Sequence, residues 1–505
     1  MSDYQLYIDG EWSEAASGES FPTYNPATGE KIADIAKAGE EDTVRALEAA
    51  RRAFDEGPWP RMSGKERAEL VRKFGEAIQA KAEDLARLET LDGGGTIRKA
   101  MTADTMTCAG TFLKFAEYAE TVSDYEELPE FSLMAGVTPG KRNYLKYEPI
   151  GVCAQITPWN FPLVMASWKI APAISAGNTI VLKPASVTPI TALELARIAD
   201  EVGIPKGVVN VIAGPGASVG EVMASHPMVD KVAFTGSTEV GARIMGLAAP
   251  TVKKVTLELG GKSATIVTDD VDFELAAKGV LFGTFFHNGQ VCESGTRALV
   301  NAKVYDDFLD ALVDTAAKIK LGDPMDFATD QGPLVSETQR QTVERYVSIG
   351  RDEGAKLATG GERPSGEVFD KGYYYEPTIF ADVDNSMKIA QEEIFGPVLS
   401  VIKVSDDADA VKVANDSMYG LAGAVWSSDI ERAQTIAEGM RTGTVWINEH
   451  HILSPEHPFG GYKQSGIGSE MGVHGYNEYR LMKRIHVDDN VNPAEHMSFM
   501  MLFSS

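Results

Sequence analysis

Apolar and polar positions along the chain recur with two different periods, and the switch between them divides the sequence. In EEDTVRALEAARRAFDEG, starting at Glu40, the residues Val44, Leu47, Ala50, Ala53 and Phe54 share one face of a 3.6-residue repeat behind an acidic first turn, which predicts a helix. KERAELVRKFGEAIQAKAEDLARLETLDGG continues the helical pattern and stops at Gly93-Gly94-Gly95. From about residue 150 the texture changes. Short apolar runs (GVCAQITP, TIVLKPA, GVVNVIAG, KVAFTGS, VTLELGG, SATIVTDD) alternate with helical stretches such as ITALELARIADEVG and GARIMGLAA. Strand, helix, strand, helix predicts a parallel, doubly wound sheet. A second series begins near residue 275 and runs through TRALVN, VYDDFLDALVDTAAKI, PTIFADV and VLSVIKV to GTVWIN, which predicts a second α/β domain. RLMKRIHVDD reads as a late strand, followed by a tail ending MSFMMLFSS.

Length and composition narrow the picture. A chain of 505 residues exceeds what one core usually serves, so two to four domains are expected. The formal net charge of −26 argues against nucleic acid and anionic membranes, which need basic footprints. Cys108, Cys153 and Cys292 are odd in number and widely spaced, so neither a disulfide framework nor a cysteine metal site is expected. The opening MSDYQLYIDGEW has no basic stretch followed by an apolar run, and no run approaches membrane-spanning length. A cytoplasmic address is the expectation.

The candidate chemistry starts at Cys292, in FFHNGQVCESGTR. A free cysteine is usually a small buried hydrophobe, so this motif alone leaves packing and nucleophilic readings both open. Two glycine-bearing turns follow apolar runs: AGPGASVG, with Gly214, Gly216 and Gly220, and FTGSTEVG, with Gly236 and Ser237. Either could set a helix N-terminus beside a phosphate, although such turns are more often only turns. The usual GxGxxG fingerprint is missing. Lys183, at the end of TIVLK, could reach a ribose or phosphate, or simply be solvated.

Seven motifs occur in order: ITPWNFPLVMASWK, LKPAS, FTGSTEVG, VTLELGGKS, GQVCESGTR, EEIFGPV and PFGGYKQSGIGSEMG. Together they resemble the NAD(P)-dependent aldehyde dehydrogenase superfamily, over about residues 5–485. The resemblance implies an α/β fold with a Rossmann-like cofactor domain (1–126 and 150–258), an α/β catalytic domain (259–460), and a small β domain for oligomerisation (127–149 and 475–490), before a tail at 491–505. It implies a homo-oligomer, a tetramer or dimer, that binds NAD or NADP and takes a small neutral aldehyde, with no metal. The implied cofactor contacts are Ile156, Trp159, Lys183, Ser186, Gly216, Gly236, Ser237, Glu393 and Phe395.

The resemblance also assigns the chemistry. Cys292 is the nucleophile whose adduct loses hydride and becomes a thioester. Asn160 and the Cys292 N–H hold the oxyanion, and Glu258 is the base for hydrolysis. Glu470 matches a second carboxylate, relaying protons through Lys169. Two alternatives stand beside this: an acylating enzyme that passes the acyl group to coenzyme A, and a non-catalytic descendant. The intact Cys292, Asn160 and Glu258 favour hydrolysis. The implied substrate pocket comprises Phe161, Met165, Trp168, Phe286, Val291, Glu293, Ile452 and Phe459, with His450, His451 and His457 in the loop at its mouth.

Three finer expectations follow. The Glu293 carboxylate should point away from Cys292, because consecutive side chains do not share a face, and activation of the thiol should come partly from a helix start after it. Ser186 stands where NAD-preferring relatives carry a glutamate, so NADP should be accepted alongside NAD. The apolar run from Met497 to Phe503 should dock on a neighbouring subunit near the tunnel mouth.

Overall fold

The computed structural model describes residues 2–129, 141–489, 491, 492, 496, 499, 502 and 503. Two large sheets organise it. In the first, eight strands run in the order Gly466–Ile467, Lys254–Glu258, Lys231–Thr235, Val152–Ile156, Thr179–Lys183, Val209–Val211, Leu6–Ile8 and Glu11–Ser13. The five from Lys254–Glu258 to Val209–Val211 are parallel, with antiparallel strands at both edges. Four of these five strands, all but Lys254–Glu258, are buried at every position. That is why they read as continuous apolar runs: a parallel strand covered on both faces has no polar side to alternate with.

The second sheet has seven strands in the order Lys356–Thr359, Thr378–Ala381, Val398–Val404, Arg297–Asn301, Ala264–Val267, Ala422–Trp426 and Thr444–Ile447. All but the first edge strand are parallel. The late strand Arg480–Asp488 pairs antiparallel with Lys141–Pro149, which also pairs with Tyr125–Glu127. Residues 130–140, within the expected hairpin, and most of the tail lie outside the described residues. Of the tail run, Phe499, Leu502 and Phe503 are exposed on the isolated chain.

The helices form for local reasons. The expected helix at Glu40 spans Glu40–Asp55, with Ala46, Leu47, Ala49 and Ala50 buried. The following helical stretch is two helices, Gly64–Ala80 and Ala82–Gly93. Ser63 and Glu66 form a capping box at the first, and Gly94, at φ 75°, ends the second in the left-handed conformation that glycine adopts freely. Pro162–Ser175 is buried on every side, with proline at its first turn, where a missing N–H costs nothing. It runs beneath the cleft between the two sheets and carries three of the expected site residues, Met165, Trp168 and Lys169.

Candidate active site

A cavity of about 320 Å³ opens where the carboxyl ends of the first sheet face the loops of the second. Its wall includes Thr235, Gly236 and Ser237 after one strand and Glu258, Leu259 and Gly260 after the next. The second body contributes Cys292, Glu293, Glu393 and Phe395. Ligands in open parallel sheets bind at these strand ends, because connecting loops converge there and helix N-termini point in.

Cys292 follows the helix Phe273–Phe285 and a tight turn in which His287 and Asn288 both take positive φ. Gly261 packs directly on the Cys292 carbonyl: a Cβ there would lie 2.4 Å from the oxygen, so the LELGG glycine is required by close approach. Cys292 is half-buried, whereas Cys108 and Cys153 are fully buried. Burial raises the thiols of both packing cysteines, Cys153 to about 12. Cys292 is also held well above the ordinary thiol range, by burial first, then by Glu293, then by Glu258 and Glu393.

Here the structure corrects two expectations. The Glu293 carboxylate does not point away; its Oε2 accepts from the Cys292 sulphur at 3.0 Å. The two residues lie in a turn rather than a helix or strand, so the rule separating neighbouring side chains does not apply. Nor does a helix start after Cys292: the next element is the strand Arg297–Asn301. Burial pushes the Glu293 carboxyl up, but the hydrogen bond and charge of His451 and the bond from Cys292 outweigh it and hold the group below its usual range.

Asn160 donates Nδ2 to the carbonyl of Gln290 at 2.8 Å, which ties the PWNFP turn to the segment carrying Cys292. Glu258 ends its strand buried, and neither carboxylate oxygen has a protein hydrogen bond among the described residues. Burial first, and the neighbouring Glu470 carboxylate second, keep it well above the usual carboxylate range, with Lys169 opposing. Glu470 is paired with Lys169, both buried.

The cofactor candidates fall around the ends of adjacent strands. Ile156 and Lys183 end theirs, and a Cβ on Gly220 would touch both side chains. Burial brings the Lys183 ammonium down to about 8, and its Nζ donates to the Pro184 carbonyl. Ser186 Oγ donates to the Gly214 carbonyl at 3.0 Å. Gly216 opens a short helical turn, and Ser237 caps Thr238–Ala248, presenting N–H groups at the crevice. Across the cavity Trp159 meets the ring of Phe395 edge-on at 5.1 Å, and Phe395 sits at φ 57°. Glu393, raised to about 7 by burial, accepts from the Gly261 N–H. The helix N-terminus at Ser237 and the aromatic pair Trp159 and Phe395 line the cavity, whereas Ile156, Lys183, Ser186 and Gly216 lie outside its wall at neighbouring strand ends and turns; this set of groups fits a dinucleotide.

The comparisons with known proteins identify the family. The profile described as "Aldehyde dehydrogenase family" matches residues 12–485. The chain belongs to the aldehyde dehydrogenase family. It is 47% identical to the betaine aldehyde dehydrogenase of Bacillus subtilis over 97% of this chain and 98% of that one. It is 43% identical to a mitochondrial aldehyde dehydrogenase, family 2 member B4, of Arabidopsis thaliana, over 96% and 88%. A crystal structure of betaine aldehyde dehydrogenase from Staphylococcus aureus in complex with NAD+ superimposes with a TM-score of 0.94 at 43% identity, covering 98% of this chain and 97% of that one. The enzyme is thus an oxidoreductase that oxidises an aldehyde with NAD(P). No helix among the described residues is long and apolar enough to cross a membrane.

Most of the expected pocket residues of this aldehyde dehydrogenase line the cavity: Phe161, Met165, Trp168, Phe286, Glu293 and Phe459. Two do not. Val291 is buried behind the wall, and Ile452 is 62% exposed, its place taken by Leu453 because the loop turns at His451, whose φ is 62°. Sequence reasoning missed Thr107, Val164 and Leu453 as wall residues, since nothing sets them apart from ordinary helix and loop positions. His451, expected only at the mouth, is buried beside Glu293.

Proposed function

We propose that Cys292 is the nucleophile of this dehydrogenase, Asn160 its oxyanion donor and Glu258 the general base. One observation carries the reading: the three side chains border a single cavity that also reaches Gly236, Ser237, Glu393 and Phe395. Sulphur adds to the aldehyde carbon as the thiol proton passes to Glu258 and on through the Lys169–Glu470 pair, and the oxygen takes up negative charge near the Asn160 amide and the Cys292 N–H. Lys183, Ser237, Glu393 and Phe395 would hold NAD(P), which would supply the hydride acceptor. The thioester left on Cys292 is cleaved by water. Glu258, buried and without a protein partner, is suited to take that water's proton, because desolvation moves its basicity toward neutral pH. The Lys169–Glu470 pair offers an exit for the proton.

The substrate we infer is a small aldehyde without negative charge. Aromatic rings line the cavity, and Glu258, Glu293, Glu393 and Glu470 would repel a carboxylate. A second reading, an aldehyde bearing a fixed positive charge, is favoured by the same carboxylates and rings, since aromatic faces attract cations. It also agrees with the names of the Bacillus subtilis and Staphylococcus aureus relatives. The domain boundaries 1–126 with 150–258, 259–460, and 127–149 with 475–490 go with cofactor binding, catalysis and subunit pairing in a cytoplasmic homo-oligomer, with the tail at 491–505 docking on a neighbour.

Reduced-cofactor absorbance tests the whole reading, run with neutral, anionic and quaternary ammonium aldehydes, with and without coenzyme A. Turnover independent of coenzyme A and abolished in Cys292→Ala is expected. A requirement for coenzyme A would replace hydrolysis by acyl transfer, and the kcat/KM ranking decides between the neutral and cationic substrates.

A further inference from the structure

The turn holding Cys292 and Glu293 is gripped by two consecutive histidines from a loop over 150 positions away. The His450 Nε2 lies 3.1 Å from the Glu293 backbone oxygen. A carbonyl only accepts, so this nitrogen carries a hydrogen. The His451 Nε2 lies 3.1 Å from the Gly283 carbonyl and is protonated for the same reason. The His451 Nδ1 then faces Glu293 Oε1 at 3.2 Å, a contact that needs one proton shared between them. The other oxygen, Oε2, accepts from the Cys292 sulphur. Phe282 and Phe286 pack on the His451 ring, each 5.4 Å away between centroids. The His451 backbone occupies the left-handed region that non-glycine residues rarely adopt, so the loop is bent to make this contact.

We propose that Glu293, held by His450 and His451, is a positioning residue that stores Cys292 as a thiol directed at its carboxylate, so that the resting enzyme keeps its nucleophile unreactive. The proposal rests on Cys292 being the nucleophile. The charged groups that face the sulphur are Glu293 from its own turn, Glu258 from the strand end and Glu393 from the loop before Phe395. Glu470 is paired with Lys169, so that lysine is not free to favour a thiolate. A thiolate at Cys292 would therefore sit against like charge, whereas a thiol satisfies the Glu293 oxygen. The thiolate is the form that alkylating agents and oxidants attack, so the arrangement protects the free enzyme.

Ionisation of Cys292 is measurable without cofactor or aldehyde. The ultraviolet thiolate absorbance of wild type minus Cys292→Ser gives the midpoint. Iodoacetamide labelling of the Cys292 peptide, read by mass spectrometry with buried Cys108 and Cys153 as internal controls, gives the reactivity. The wild-type midpoint is expected above the ordinary thiol value of about 8.5. Glu293→Gln should lower it by about one unit and raise labelling at neutral pH about tenfold. Glu293→Asp, which keeps the charge, should return most of the protection. A wild-type midpoint below about 8.5, or a Glu293→Gln midpoint unchanged or higher, overturns the proposal. If Glu293→Gln fails to fold, a wild-type midpoint below the ordinary value still overturns the proposal, and Glu293→Asp, which pulls the carboxylate back from the sulphur, should still shift the labelling rate measurably. Full turnover by Cys292→Ala would instead overturn the nucleophile assignment, independently of the labelling result.

Discussion

Glu258 and Glu293 are both 4% exposed and both line the same cavity, yet the protein treats them in opposite ways. Glu258 comes off a strand end with no hydrogen-bond partner among the described residues, and burial raises its affinity for a proton. Glu293 comes off a turn with both oxygens engaged, by His451 and by Cys292, and is held ionised. Equal burial therefore does not assign a role; the partners do. One carboxylate is poised to exchange a proton, and the other is a fixed charge.

The largest test of this contrast is kinetic. Glu258→Gln keeps shape but removes the proton acceptor, and steady-state turnover should fall by about 10²–10⁴-fold. A burst of reduced cofactor equal to the enzyme concentration should precede the slow phase, because acylation of Cys292 is slowed far less than hydrolysis. Asn160→Ala should cost about 10²–10³-fold without a burst, since it strikes the oxyanion before the thioester forms. A burst in the second variant, or none in the first, would exchange their roles.

The cofactor groove supplies a smaller effect. Ser186→Glu adds a charge where the family resemblance puts the adenosine ribose, and kcat/KM with NADP should fall about tenfold or more while NAD changes little. A wild-type preference for NAD above about 10³-fold would show that Ser186 does not leave room for a phosphate.

The smallest effect is on stability, and its sign separates the two carboxylates. The folded-state pKa of Glu258 lies above its unfolded value, so its contribution is full below the ordinary carboxylate pKa and is lost as pH rises through the folded one. For Glu293 the folded value is depressed, so its contribution is present above the ordinary pKa and lost as pH falls through the folded one. Melting temperature against pH should flatten on the rising-pH side in Glu258→Gln and on the acid side in Glu293→Gln. The same flattening in both would mean that their environments are alike after all.

The strands and most of the cavity wall were legible in the sequence because their signals are local. Runs such as KVAFT and TIVLK are buried at every position and show it in composition. The apolar run VTLELGG places Glu258 at a strand end. The ordered motifs resemble a family, and the family match over residues 12–485 bears that out. What local patterns could not carry is which buried group meets which. His451 lies 158 positions from Glu293, whereas the pair Lys169 and Glu470, 301 apart, was reached only through the family resemblance. Nothing in either neighbourhood encodes the partner. The direction of the Glu293 carboxylate was misjudged for the same reason: its path is set by a turn with two positive φ residues upstream and by a distant histidine loop. Sequence alone determined the fold class, since hydrophobic period is a property of neighbours along the chain, and the order of its motifs carried the family resemblance that implied the chemistry and its residues. Tertiary structure alone decided which carboxylate binds a proton more tightly, because that depends on desolvation and on charges brought together across the fold.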